Sequence, residues 1–126
     1  MVTIKEIIER VDEVKPNAYS EKAKLRWIAE LEGLLAADVF LMSPEEIQQV
    51  QYSHPEDLNT KVLVDFPHDS IYDYWLMAKI DFMNGEYEKY ENTMQIYNAA
   101  YQNFVRWFAS SYEPAQGYGA EEVRYG

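Results

Sequence analysis

An all-α chain, arranged as a small helical bundle around a long antiparallel helical hairpin, is predicted by three features of this 126-residue sequence. Apolar residues recur at three- and four-residue spacing in four separate stretches. Capping signals stand at the start of most of them. An Asn-Gly pair, Asn84-Gly85, divides the last two and suits a left-handed helix end. Between the second and third stretches helical spacing fails over about 49–66, where an irregular or β-like arm is expected. Residues 1–113 read as one helical domain. After Pro114 periodicity ends, and 114–126 reads as a flexible C-terminal tail.

The first helix is expected over 4–14. Thr3 and Glu6 stand in capping-box spacing, Ile4, Ile7, Ile8, Val11 and Val14 form one face, and Pro16-Asn17 closes it. Ser20 caps a second helix expected over 21–41. Its stripe is Ala23, Trp27, Leu31, Leu34 and Leu35, and its far end, through Val39, Phe40, Leu41 and Met42, is apolar all round. Gly33 in mid-helix costs about 1 kcal/mol against Ala, which suggests close approach of a neighbour. Ser43-Pro44-Glu45-Glu46 is a second capping box, followed by a short turn or helix. In the arm, Lys61-Val62-Leu63-Val64-Asp65-Phe66 favours strand, and 48–52 is a candidate partner, giving a hairpin or an extended arm; a lone two-stranded ribbon is marginal, so the arm is expected to lean on the helices or on a neighbouring subunit. Pro67-His68-Asp69-Ser70 opens a third helix over about 69–84, with Ile71, Trp75, Ala78 and Phe82 on one side. A fourth is expected over about 86–111. There Tyr87, Tyr90, Met94, Tyr97, Tyr101, Phe104 and Phe108 alternate three- and four-residue steps, which is an a/d seam for packing on the third helix.

Composition excludes several function classes. With 11 basic and 22 acidic side chains the formal net charge is −11, so affinity for nucleic acid through phosphate neutralisation is not expected. An acidic wall can still work beside DNA, because it repels phosphate. The absence of cysteine excludes disulfides, thiolate metal sites and a cysteine nucleophile. No apolar run reaches the ~18 residues of a membrane span, and the N-terminal residues lack a signal-peptide layout. A soluble protein inside a cell, or one assembled there, is the expectation. Eleven tyrosines, apolar along the ring and wet at the tip, suit half-exposed interfaces.

Chemistry-bearing patterns are sparse. His54 and His68 each adjoin a proline and sit in no metal-ligand spacing. Either could in principle pair with Asp57, Asp65 or Asp69, but no nucleophile elbow, P-loop or dinucleotide fingerprint accompanies them. Asp65, Asp69, Asp73 and Asp81 fall at helix-compatible spacings, and Asp69 with Asp73 shares a face. A cation site or acid-site hydrolase is conceivable, yet carboxylates at a helix start need only the helix dipole. No catalytic, cofactor-binding or metal residue is assigned, and no cofactor. The assignable residues are candidate subunit contacts: Val39, Phe40 and Met42 at the apolar helix end, and Tyr52, Val62, Val64 and Phe66 on the arm.

Several segments carry a resemblance. They are Arg10-Val11-Asp12 through Lys15-Pro16-Asn17-Ala18-Tyr19-Ser20, the run from Lys24 through Trp27 to Gly33, and the run from Phe66-Pro67-His68-Asp69-Ser70 through Tyr72-Asp73-Tyr74-Trp75 to Asp81. Asn84-Gly85-Glu86-Tyr87, Tyr90, and Tyr97-Asn98-Ala99-Ala100-Tyr101 with Phe104 and Trp107 complete them. Together they resemble the small helical head–tail connector (adaptor) proteins of tailed bacteriophages and prophages. The resemblance covers most of the chain before Pro114 and lies in layout, with no catalytic signature. It implies a mostly helical, non-enzymatic virion subunit with an extended arm, forming a homo-oligomeric ring below the portal and extending the DNA channel. The implied partners are further copies of the chain, the portal protein and a downstream head-closure or tail protein, without sequence-specific nucleic-acid binding or membrane contact. The implied location is the head–tail junction of the virion, after assembly in the bacterial host cytoplasm. From the residues alone, a non-enzymatic helical interaction or regulatory module stays open as the alternative.

Overall fold

The computed structural model describes residues 1–116, with side chains described through residue 111. Five helices run in order: α1 (Ile4–Val14), α2 (Glu21–Asp38), α3 (Pro44–Gln48), α4 (Ser70–Met83) and α5 (Tyr87–Gln116). The chain is all-α, and no strand forms among the described residues. The expected start of the tail, at 114, falls on the last turn of α5; 117–126 lie outside the described residues.

Both capping boxes form. Thr3 and Glu6 exchange side-chain and backbone bonds at the start of α1, and Ser43 and Glu46 do the same at α3. Ile4, Ile7, Ile8 and Val11 are buried as the face of α1, while Val14 is exposed. The buried face of α2 differs from the expected stripe: it is Lys24, Leu25, Ile28, Leu31, Glu32, Leu35 and Ala36, and Leu34 is 48% exposed. Two charged residues inside that face shifted the apparent stripe by one position.

The end of α2 also departs from expectation. The helix stops at Asp38 rather than 41. Phe40 N–H donates to Leu35 O at 2.9 Å and Met42 N–H to Ala36 O at 2.9 Å, so the last turn widens beyond four-residue spacing and Leu41, at φ 52°, turns the chain out of the helix. Glycine normally takes that left-handed position, so the sequence carried no sign of the stop.

α4 and α5 form the expected hairpin. Gly85, at φ 76°, makes the turn. Ring contacts fix the register: Phe82 meets Tyr90, Trp75 meets Tyr97 and His68 meets Phe104, seven residues down one helix for seven up the other. Of the seam, Tyr97 and Phe104 are buried, and Tyr87, next to the turn, is 60% exposed. α5 then runs past the start of α4, ending about 18 Å beyond Phe104 at 1.5 Å per residue.

The arm is irregular and leans on the helices of its own subunit, one of its two expected supports. Lys61 pairs with Thr3 in one isolated antiparallel bridge, and the candidate ribbon with 48–52 does not form. The N-terminus of α1 supplies the reason. Its first-turn N–H groups have no partner within the helix, and Ile4 and Lys5 donate to Thr60 O at 3.0 Å and Leu58 O at 2.9 Å. Val62 N–H donates back to Val2 O at 3.1 Å. The arm therefore folds onto its own subunit.

Two glycines give opposite tests. A Cβ at Gly33 would meet nothing within 4 Å among the described residues, so none of them makes the close approach expected there. Gly33→Ala is expected to stabilise the protein by about 0.5–1 kcal/mol. Gly85→Ala, forced to positive φ, is expected to destabilise it by about 1 kcal/mol. Urea unfolding followed by circular dichroism measures both.

Candidate contact surface

The candidate contacts divide sharply by burial. Val62 and Val64 are each only 1% exposed, members of the core with Ile4, Ile28 and Tyr72. They offer no surface to a second subunit, and their assignment as contacts is corrected. The bridge to α1 turns them inward. Tyr52 is half-buried with its hydroxyl directed into the molecule, where it donates to Glu32 Oε1 at 3.1 Å. Val39, Phe40 and Met42 are half-buried; Phe40 lies edge-on to Phe108 at 5.0 Å and tilted over Phe104 at 6.4 Å. Phe66 alone stands clear, at 86% exposure.

The residues that join Phe66 were not among the candidates. Leu41, inside the apolar run yet not chosen, is 79% exposed because its left-handed backbone directs it outward. Trp107, off the a/d seam of α5, is 49% exposed and stacks on His68 at 4.9 Å. Phe40, His68, Phe104, Trp107 and Phe108 form one chain of ring contacts at the α4-start end of the hairpin. Leu41 and Phe66 adjoin it in sequence, and the overhang of α5 rises from it. At the opposite end Phe82, Met83 and Tyr87 are about half-exposed around the hairpin turn.

Behind these ends lies a polar centre that the sequence reading missed. Glu32 is fully buried on α2. Its Oε1 accepts from the Tyr52 hydroxyl at 3.1 Å and from Leu63 N–H at 3.1 Å. Its Oε2 accepts from the Tyr72 hydroxyl at 2.8 Å, and Tyr72 in turn accepts from Val64 N–H at 3.0 Å. Burial pushes the Glu32 carboxyl up to about 7, while the three donors favour its ionised form. Burial, followed by the nearby Glu32 charge, raises both tyrosine hydroxyls, so they remain donors. The available signal was an acidic residue between Leu31 and Leu35 on an otherwise apolar face.

Asp69, Asp73 and Asp81 each bind a cation. Asp69 and Asp73 share a face, as their spacing implied, and both bind Arg10 of α1; Arg10 Nη1 lies 2.9 Å from Asp69. Asp81, 1% exposed, accepts from Lys15 at 2.8 Å and from Thr93 at 3.1 Å. His54 pairs with Glu21 at 3.0 Å. Among the described residues no group of three or more His, Cys, Asp or Glu side chains could hold a metal ion, and no helix is long and apolar enough to cross a membrane. No protein-family model, curated protein or solved structure matches the chain.

The cluster predicts a distinctive pH dependence. Between pH 4.5 and about 7 folded Glu32 holds a proton that the unfolded chain has released, so its contribution to stability falls as pH rises through that window. A displacement from 4.5 to about 7 corresponds to roughly 3 kcal/mol. The stability difference between wild type and Glu32→Gln, from urea unfolding at successive pH values, should shift by that order across the window and level off above it. Tyr72→Phe, which strips a donor from Glu32 and an acceptor from Val64 N–H, is expected to cost about 2–4 kcal/mol.

Proposed function

We propose that the protein is a non-enzymatic assembly subunit, a head–tail connector of a tailed bacteriophage or prophage. In this reading it joins a homo-oligomeric ring below the portal, extends the DNA channel and meets the next head-closure or tail protein. The observation that carries the reading is the α4-start end, where Leu41, Phe66 and Trp107 expose apolar surface around a projecting helix. Apolar side chains grouped at one end of a small subunit mark a contact site more often than a solvated face. Leu41 adds weight, since an exposed leucine held at positive φ costs about 1–2 kcal/mol that the isolated subunit does not recover. The connector-like segments from Phe66 to Asp81 and from Tyr97 to Trp107 contribute residues to this end. The net charge of −11 suits a channel lining that does not grip DNA.

The alternative is a helical interaction or regulatory module. Its support is a cleft of about 180 Å³ between α4 and α5, lined by Trp75, Ala78, Lys79, Phe82, Tyr90 and Met94. That volume accommodates one or two side chains of a partner helix.

Leu41→Gly separates the strain from the contact. The variant is expected to be about 1 kcal/mol more stable than wild type by urea unfolding, while its incorporation into phage particles falls. Phe66→Ser with Trp107→Ser should keep native circular dichroism and fail to co-sediment with portal-containing particles. Unchanged particle yield from the double variant would overturn the reading.

A further inference from the structure

A second surface lies away from both apolar ends, in a groove of about 1140 Å³ between α2 and the segment leading into the arm. Trp27, Ile47, Val50 and Tyr52 give it apolar walls, and Gly33 leaves one end open because nothing lies within 4 Å of where its Cβ would stand. Lys22 and Arg26, one turn apart on α2, line the same groove. Neither makes an ion pair or hydrogen bond among the described residues, whereas Lys15, Lys24, Lys79 and Lys89 are all paired. Two free cations over apolar walls, in a chain of net charge −11, fit an acidic segment that also carries apolar side chains.

The chain contains such a segment. Residues 117–126 include Glu121 and Glu122, flanked by Tyr118, Val123 and Tyr125. Within one subunit its backbone reach is shorter than the distance to the groove. Trp75 Nε1 donates to Trp27 O at 2.8 Å and Trp75 meets Tyr97, which places Arg26 near the level of Tyr97. From Tyr97 to the end of α5 at Gln116 is about 28 Å along the helix. Five or six residues at full extension return at most about 21 Å, about 7 Å short along the helix before the lateral offset from α5 to α2 is added, so pairing with the Arg26 of the same subunit would demand a fully extended backbone and both side chains outstretched.

We propose that the α2–arm groove binds the 117–126 segment of a second copy of this chain, with Glu121 and Glu122 on Lys22 and Arg26. The inference rests on the assembly reading above and names one contact through which copies join. Its test is a fluorescein-labelled synthetic peptide of residues 117–126, titrated with dilute full-length protein and followed by fluorescence anisotropy. The expected result is saturable binding that weakens as salt rises. Lys22→Glu with Arg26→Glu should lower affinity at least tenfold, as should Gly33→Phe, which obstructs the groove without altering charge. Lys61→Glu, which lies outside it, should leave affinity unchanged, and circular dichroism checks that every variant is folded. Absence of binding, binding indifferent to the groove variants, or equal binding of a scrambled peptide overturns the inference. Particle incorporation of the Lys22/Arg26 variant is read separately. Normal incorporation without peptide binding removes this contact and leaves the connector reading standing.

Discussion

One buried carboxylate organises the molecule. Glu32 sits on the core face of α2, and its bonds reach α4 through Tyr72 and both ends of the arm through Tyr52 and Leu63. Removing a carboxylate from water costs several kcal/mol unless donors replace the lost hydration. Here a backbone N–H and two hydroxyls do so, and two of the three come from the arm. A segment without helix or strand thereby gains a defined position: its polar backbone satisfies Glu32 and the N-terminus of α1, while Val62 and Val64 fill the core. The interior is apolar around one polar knot, and the knot determines where the arm lies.

Charge pairing does similar work at the periphery. α1 is a short helix whose middle and C-terminal cap are anchored to the two ends of α4: Arg10 holds Asp69 and Asp73 at the start of α4, and Lys15 holds Asp81 near its finish. The link into α2 is fixed by Lys24, which reaches Asp12 at 2.7 Å and Asn17 at 3.1 Å, and by Tyr19, whose hydroxyl donates to Asn84 at 2.6 Å. Three carboxylates whose spacing raised the possibility of an acid site are thus occupied by cations of α1. Asp69 illustrates the trade: it stands at the N-cap of α4 yet makes no capping bond, because its carboxylate faces Arg10.

Local chemistry made most of the fold legible. The bounds of α1 follow from Thr3, Glu6 and Pro16. The hairpin follows from Asn84-Gly85 and the alternating aromatic seam, and α3 from Ser43-Pro44. What stayed hidden depends on long-range partners. The left-handed turn at Leu41 has no glycine to announce it. The burial of Glu32 and Lys24 depends on donors and acceptors that are distant in sequence. The arm looked like a strand because Val62, Leu63 and Val64 are β-favouring, but its backbone found the open end of a helix instead of another strand. The apolar run at 39–42 lies at the end of the molecule where Phe66 and Trp107 are exposed, and its most exposed member is Leu41. Trp107, off the seam, was recoverable from the same heptad logic, since an aromatic residue outside a/d points away from the hairpin.

Because the arm is part of the core, it cannot be treated as a detachable limb. Shortening it between Gln51 and Asp65 would strip Tyr52 and Leu63 from Glu32, leave the first turn of α1 without acceptors and empty the volume filled by Val62 and Val64. Each loss lies in the class that unfolds small domains, so such a deletion would report on stability before assembly. Surfaces whose removal leaves the interior intact are more informative. Leu41, Phe66 and Trp107 have most or half of their area in solvent, and Lys22 and Arg26 are exposed and make no ion pair or hydrogen bond among the described residues. The proposed assembly role would draw on this separation: a centre closed enough to fold alone, and ends whose apolar and charged groups stay exposed for a neighbour.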